Sequence, residues 1–272
     1  MGIKKTEGKV VIITGSSRGI GKAIAIACAK KGMKVVLNGR NQERLNETEK
    51  EIRIITNDVL SLCLDVSDMK QAAQLIDKTI ERFKQIDILV NNVGISSRGE
   101  VADMNPEVFK TVFESNVYGT VYPTIPAIPY LRQTKGSLIF ISSLAGIRGI
   151  PYMSAYCSSK MALRAIAETI RLEEAKNNIH VGLIFVGITD IEHNKEAIGA
   201  DGSKVILQSR KNKNVQSPEY VANIVLKNIS SRKFISVLTG IGKLNSFLQP
   251  RFPLLVEKLI LKNIKKFDEG IK

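Results

Sequence analysis

Short apolar runs alternate with longer stretches of helical periodicity along most of the chain. The runs are KVVIITG (9–15), KVVLNG (34–39), VLSLCLD (59–65), DILVNNVG (87–94), GSLIFISS (136–143), HVGLIFV (180–186) and FISVLT (234–239). Each is apolar nearly throughout, as a strand covered on both faces should be. Between them, apolar residues spaced by three and four predict helices at about 20–31, 41–53, 68–84, 106–131, 153–176 and 218–229. Alternation sustained this long predicts an α/β fold, a single doubly wound domain with a parallel sheet and helices on both faces. We place that domain over residues 1–240, with no internal repeat and no low-complexity segment.

Two regions depart from the pattern. Residues 188–216 are polar and follow a strand, which suits a substrate lid at the carboxyl end of the sheet. Residues 241–272 form a basic, amphipathic extension. Within FPLLVEKLILKNIKKF, Phe252, Leu255, Val256, Leu259, Ile260, Ile264 and Phe267 recur at three and four, and Leu254 and Leu261 widen that face. Lys258, Lys262, Lys265 and Lys266 fill much of the remainder. Such a helix suits a membrane interface, or docking on the body of the protein or on a second subunit.

Of the 272 residues, 44% are hydrophobic, enough for one large core, and no apolar run approaches the ~20 residues that span a bilayer. Cys28, Cys63 and Cys157 are odd in number and form neither a CxxC pair nor a zinc spacing. That predicts a reducing, cytoplasmic compartment and no metal site. His180 and His193 sit in no catalytic motif, which counts against a serine–histidine hydrolase, and His180 reads as a residue at the start of a strand. The net charge of +14 points to phosphorylated ligands or an anionic membrane surface. It does not point to nucleic acid, because the lysines are dispersed, without interleaved aromatics or a binding motif. The predicted location is cytoplasmic, with peripheral contact at the cytoplasmic membrane face through the tail.

Candidate chemistry begins in TGSSRGIGKA (14–23). Gly15, Gly19 and Gly21 follow a strand and open a helix, where glycine lets backbone N–H groups approach a pyrophosphate. At the end of the second strand, where a carboxylate would accept from a ribose 2′-hydroxyl, the chain has Gly39 and Arg40. Arg18 and Arg40 would clamp a 2′-phosphate, so NADP(H) is expected rather than NAD. Tyr156 and Lys160 are four apart on a predicted helix and share a face. An ammonium there should lower the phenol pKa, normally ~10, and make Tyr156 an acid/base near neutrality. Ser143 ends a strand within reach of the same reacting oxygen.

Taken in order, TGSSRGIG, Asp65, NNVG, Asn116 in SNVYG, Ser143 in ISSLAG and YCSSK resemble the short-chain dehydrogenase/reductase family, from residue 8 to about 230. The resemblance implies a single Rossmann-type domain with a seven-stranded parallel sheet. It implies that Gly15, Ser17, Arg18, Gly19, Ile20 and Gly21 line the pyrophosphate and adjoining ribose, and that Asp65 and Val66 bracket the adenine. Asn91, Val93 and Gly94 would let the cofactor lie close to the fourth strand. Tyr156 would be the acid/base, Ser143 would orient the substrate carbonyl, and Lys160 would bind the nicotinamide ribose and tune Tyr156. Asn116 would hold a water linking Lys160 to solvent. Ser142 is the alternative serine, though the spacing to Tyr156 favours Ser143.

The chain also departs from the family pattern. Val186-Gly187 replaces Pro-Gly, and the following threonine contact falls to Thr189 or Ile191. Pro123, Pro126 and Pro129 should bend the fifth helix, which commonly builds the family's dimer. The DGS of the lid and the tail are similar to the family's membrane-associated branch, which reduces lipid and steroid ketones. The expected protein is a homodimeric NADP-dependent oxidoreductase interconverting an apolar ketone and a secondary alcohol. The alternatives are a 3-oxoacyl-thioester reductase and a non-catalytic NADP-binding regulator.

Overall fold

The apolar runs pair into one sheet. The computed structural model describes residues 6–190, 195–207 and 215–264. Its strands and helices, in chain order, are β1 (Val10–Ile13), α1 (Gly19–Ala29), β2 (Lys34–Gly39), α2 (Gln42–Arg53), β3 (Val59–Cys63), α3 (Met69–Phe83), β4 (Ile88–Asn91) and β5 (Ser96–Ser97). There follow α4 (Pro106–Phe113), α5 (Gly119–Thr134), β6 (Ser137–Ser143), α6 (Ser154–Glu173), β7 (His180–Val186), β8 (Lys195–Ile198), β9 (Lys204–Leu207), α7 (Pro218–Ser231), β10 (Ile235–Val237), α8 (Gly240–Leu248) and α9 (Pro253–Leu261). The main sheet has seven strands in the order β10-β7-β6-β4-β1-β2-β3. All neighbours in it are parallel.

The chain steps outward from β1 to β3, then crosses to β4 on the far side of β1. The strand order therefore reverses between β1 and β4, and a crevice opens at their carboxyl ends. The pleat explains the unbroken apolar runs. Val11, Ile13, Val35 and Ile139 pack with α1 and α7, whereas Val10, Ile12, Val36 and Phe140 pack with α3 and α5 on the opposite face.

Helix starts follow capping chemistry. Asn41, Asp68, Asn105, Ser217 and Thr239 each accept a backbone N–H of the turn they precede. Helix α1 is different: Arg18 precedes it without a side-chain cap, and its first turn holds no acidic residue.

Three features differ from expectation. The predicted helix at 106–131 is interrupted by a π-helical turn, Glu114–Tyr118. Helix α5 continues through Pro123, Pro126 and Pro129 to Thr134, where Lys135 ends it in a left-handed conformation. The polar lid contains a hairpin: β8 pairs with β9, and β5 adds to β8 as a third strand. Its turn closes because Gly199 N–H donates to the Ser203 carbonyl and Ser203 N–H to Asp201 Oδ1, at 2.8 and 2.9 Å. Ile191 and His193 lie outside the described residues. His180 opens β7 as expected, with its ring nitrogens 3.2 Å from Ser137 Oγ and 3.0 Å from the Lys233 carbonyl.

The tail is not one helix. Pro253 begins a second one, and of its apolar residues only Val256 is buried. Ile241, Leu244, Phe247, Phe252, Leu254, Leu255, Leu259 and Leu261 are all about half exposed or more. Lys265, Lys266 and Phe267 lie outside the described residues. Among the described residues, no helix is long and apolar enough to cross a membrane.

Candidate active site

The site begins where β1 stops. Gly15 takes φ +63°, a left-handed conformation that turns the chain toward α1. Gly21, on the first turn of α1, has no room for a Cβ against the Gly15 carbonyl, so the helix N-terminus packs directly on the turn. Asn92, which the motif reading passed over, holds this turn to β4. Its Nδ2 donates to the Thr14 and Gly15 carbonyls at 3.0 and 3.1 Å, and its N–H donates to Thr14 Oγ1 at 3.0 Å. Ser17 carries its Oγ beside Gly39, and its carbonyl accepts from Thr48 Oγ1 at 3.2 Å. Ile20 packs its side chain toward the core, and Arg18 stays exposed.

At the rim, Arg40 is exposed and pairs with Asp65, Nη1 to Oδ2 at 3.3 Å. Burial pushes the Asp65 carboxyl up, but hydrogen bonds from Ser67 and the charge of Arg40 outweigh it and hold the group below the usual carboxylate range. Val66 is buried and Val93 partly buried, both close to Gly119 at the start of α5. Asn91 does not face the crevice. It is 1% exposed, its Nδ2 donates to Thr124 Oγ1 at 2.8 Å, and its Oδ1 has no partner among the described residues. The Asn91 side chain therefore lies beneath the surface, against α5, at the carboxyl end of β4.

The chemistry-bearing residues converge at the carboxyl end of β6. Alternation along the strand separates the two serines. Ser142 is buried and donates to the Lys160 carbonyl at 3.2 Å, while Ser143 emerges partly exposed and caps the next turn through Ala145 N–H. Ser143 also interacts with the Tyr156 phenol. Helix α6 brings Lys160 Nζ to 5.9 Å from the Tyr156 ring centre, and Nζ donates to the Ile141 carbonyl at 3.2 Å. Lys160 is thus stapled to β6 at both ends of its residue.

Asn116 lies in the π-helical turn, a feature that often marks functional sites. Its Oδ1 accepts Ile95 N–H at 2.7 Å, and its Nδ2 donates to the Ile95 carbonyl at 3.0 Å and to Ser159 Oγ at 2.9 Å. Ser159 Oγ in turn donates to the Tyr156 carbonyl at 2.8 Å. Both amide hydrogens of Asn116 are used, and the residue ties the exit of β4 to the turn of α6 that carries Tyr156.

The expected lowering of the Tyr156 pKa is corrected. Burial of the phenolate dominates and pushes the phenol up, although part of the side chain still faces the crevice. Ser143 and the charge of Arg98 act in the opposite direction, and Cys157 adds to the rise. Spacing identified Lys160 as the tuning cation; its ammonium lies 5.9 Å from the Tyr156 ring centre and also donates to the Ile141 carbonyl. Arg98, unnoticed in the sequence, follows β5, and its N–H donates to the Ile198 carbonyl of the lid at 2.8 Å.

The residues fit a dinucleotide on the evidence of the fold itself. The α1 N-terminus has no side-chain cap, Gly15 and Gly21 let the turn pack closely against it, and Arg18 and Arg40 supply positive charge nearby.

Comparison with known proteins agrees with this geometry. A model of the short chain dehydrogenase family matches residues 9–202. The 3-ketodihydrosphingosine reductase of Bos taurus is 33% identical over 250 residues, covering 89% of this chain and 74% of that protein. An alcohol dehydrogenase from the archaeon Thermococcus sibiricus, complexed with 5-hydroxy-NADP, superposes with TM-score 0.74 and 27% identity over 85% of this chain and 96% of its own. A short chain dehydrogenase/reductase from Burkholderia phymatum, in complex with NAD, gives TM-score 0.81 at 23% identity over 92% and 96%, a likeness of fold.

Proposed function

The chain belongs to the short chain dehydrogenase family, and on that premise we propose that it is an NADP-dependent oxidoreductase interconverting a ketone and a secondary alcohol, with Tyr156 as the acid/base. The observation that carries this reading is Lys160 Nζ standing 5.9 Å from the Tyr156 ring centre, with Lys160 held to β6, the strand that Ser143 ends.

When bound, the nicotinamide supplies the hydride to the carbonyl carbon. Tyr156 holds a proton at its phenolic oxygen and gives it to the substrate oxygen, so ketone, hydride and proton make the alcohol; oxidation runs the same transfers backwards. A phenol with a pKa of ~10 or above is protonated at neutral pH, the state a general acid needs, and burial that raises it makes the positive charge around it the factor that would ease proton release. Ser143 orients the substrate oxygen by hydrogen bonding. Lys160 and Arg98 place positive charge where the phenolate forms, and Lys160 also binds the nicotinamide ribose. Asn116 is a positioning residue, holding α6 through Ser159.

The glycine turn with Ser17, Arg18 and Ile20 would carry the pyrophosphate, and Asp65, Val66, Val93 and Gly94 would border the adenosine and nicotinamide ends. The choice of NADP is supported by exposed Arg18 and Arg40 and by the lack of a carboxylate at the end of β2. The structure complexed with 5-hydroxy-NADP is the closer in sequence of the two described.

An apolar, lipid- or steroid-like substrate is supported by the likeness to 3-ketodihydrosphingosine reductase and by the exposed apolar tail. That tail, with Lys243, Arg251, Lys258 and Lys262 around its apolar residues, suits peripheral contact with an anionic membrane. A homodimer through α5 fits its exposed Ile125 and the stacked Tyr118–Tyr122 pair, 5.5 Å between ring centres.

The test follows NADPH absorbance with ketones of graded chain length. Turnover should rise with apolar length, and Tyr156→Phe should lose about 10²- to 10⁴-fold while still binding NADPH. Unchanged turnover in that variant ends the mechanism.

A further inference from the structure

Arg40 and Asp65 follow the ends of neighbouring strands. β2 and β3 pair with Gly39 opposite Cys63, and the Leu64 N–H donates to the Gly39 carbonyl at 3.1 Å. This register brings Arg40 Nη1 to 3.3 Å from Asp65 Oδ2. The two partners are not held alike. Asp65 Oδ1 accepts the Ser67 N–H at 2.9 Å and the Ser67 hydroxyl at 2.6 Å, and the Asp65 N–H donates to Gln71 Oε1 at 2.9 Å. The carboxylate is a fixed anion. The Arg40 side chain is 64% exposed against 34% for Asp65, and is free to reach elsewhere.

We infer that Asp65 is a specificity-determining residue: it holds the guanidinium that a ribose 2′-phosphate must take over, and so tempers the preference for phosphorylated over unphosphorylated adenosine. The inference rests on the NADP reading. A phosphate monoester is nearly doubly charged at neutral pH and competes well for an arginine. It must break the Arg40–Asp65 pair to do so, and then lie near a carboxylate that cannot move away. Adenosine with a free 2′-hydroxyl meets neither cost. The pair is solvent-exposed, so its hold is modest and reversible.

The probes are 2′,5′-ADP and 5′-AMP, which differ by the 2′-phosphate alone, with binding measured by calorimetry. Asp65→Asn keeps the acceptor for Ser67 and removes the charge. It should raise the ratio of the 5′-AMP Kd to the 2′,5′-ADP Kd by about two- to five-fold, the range expected of an exposed pair. Asp65→Glu should keep the ratio near that of the unsubstituted protein. In an Arg40→Ala background, Asp65→Asn should raise the ratio by clearly less, because only the direct repulsion of the carboxylate is then relieved. A ratio that does not rise in Asp65→Asn overturns the inference, as does an equal rise without Arg40, which would mean direct repulsion. The Arg40→Ala variant alone reports on the NADP reading: if it keeps the full preference for 2′,5′-ADP, Arg40 does not read the phosphate. Retained 5′-AMP binding shows that each variant is folded, and Asp65→Ser replaces Asp65→Asn should the latter lose it.

Discussion

Gly94 lies against the ammonium of Lys160: a methyl group placed on it would sit 3.0 Å from Lys160 Nζ and 3.1 Å from Asn116 Oδ1. The glycine is itself exposed, so a side chain there would perturb the site rather than the core. Lys160 is the flexible neighbour and would shift by tenths of an ångström, away from its bond to the Ile141 carbonyl. Gly94→Ala should therefore lower kcat about ten-fold through misplacement of the charge beside Tyr156, with no change in melting temperature. Steady-state kinetics beside a thermal melt check this, and an unchanged kcat would show that the Lys160 position is not critical.

Asn116 supports more than its own turn. Removing its side chain leaves the Ile95 N–H and carbonyl and the Ser159 hydroxyl without their present partner. Asn116→Ala should cost about 1–3 kcal/mol, the penalty for orphaned buried polar groups. Asn116→Asp keeps an acceptor for Ile95 N–H and should fall between. Urea unfolding of the three proteins gives the order; an alanine variant as stable as the aspartate one would show that the Ile95 bond is not worth its geometry.

The main sheet was legible because its seven strands are buried on both faces and read as apolar runs bounded by glycine or polar residues. Motif spacing prefers Ser143 to Ser142, and the pleat turns the two to opposite faces, with Ser142 buried and Ser143 partly exposed. The small sheet was not legible. Ser96–Ser97 has no apolar pattern, and β8 and β9 acquire partners only through tertiary contact. The π-helical turn leaves no mark in the periodicity, because one extra residue in a long helical run shifts the face without breaking it. The direction of the Tyr156 shift was misread for a related reason. Helical spacing brings Lys160 close, but it says nothing of how deep the phenol lies or which carbonyl takes the ammonium.

The Tyr156 shift has a measurable sign. Its folded pKa lies above the ordinary phenol value, so the folded protein keeps this proton where an unfolded chain has begun to lose it. The stability associated with the neutral phenol is complete below pH ~10 and is lost as pH rises through the folded value. In a difference titration of the phenolate absorbance, the signal missing from Tyr156→Phe should appear above pH ~10. The same substitution should lessen the alkaline loss of stability. A missing signal centred near neutrality would mean that a nearby cation, and not burial, rules the free protein.

The exposed apolar residues of α8 and α9 form a face that can be altered without entering the active site. Leu244 is 58% exposed and Leu254 71% exposed, so charged replacements there cost the fold little. α8 nevertheless starts close to the chemistry. Thr239 caps it, and Gly242 lies directly against Leu144, the residue after Ser143. A membrane bound by this face would stand beside the reacting end of the sheet. With vesicles containing phosphatidylserine, the protein should float, more strongly at low salt because lysines contribute. The double variant Leu244→Glu/Leu254→Glu should stay in the dense fraction while reducing a water-soluble ketone at the rate of the unsubstituted protein. Equal flotation of the two proteins would remove the membrane from the account and leave the oxidoreductase chemistry standing.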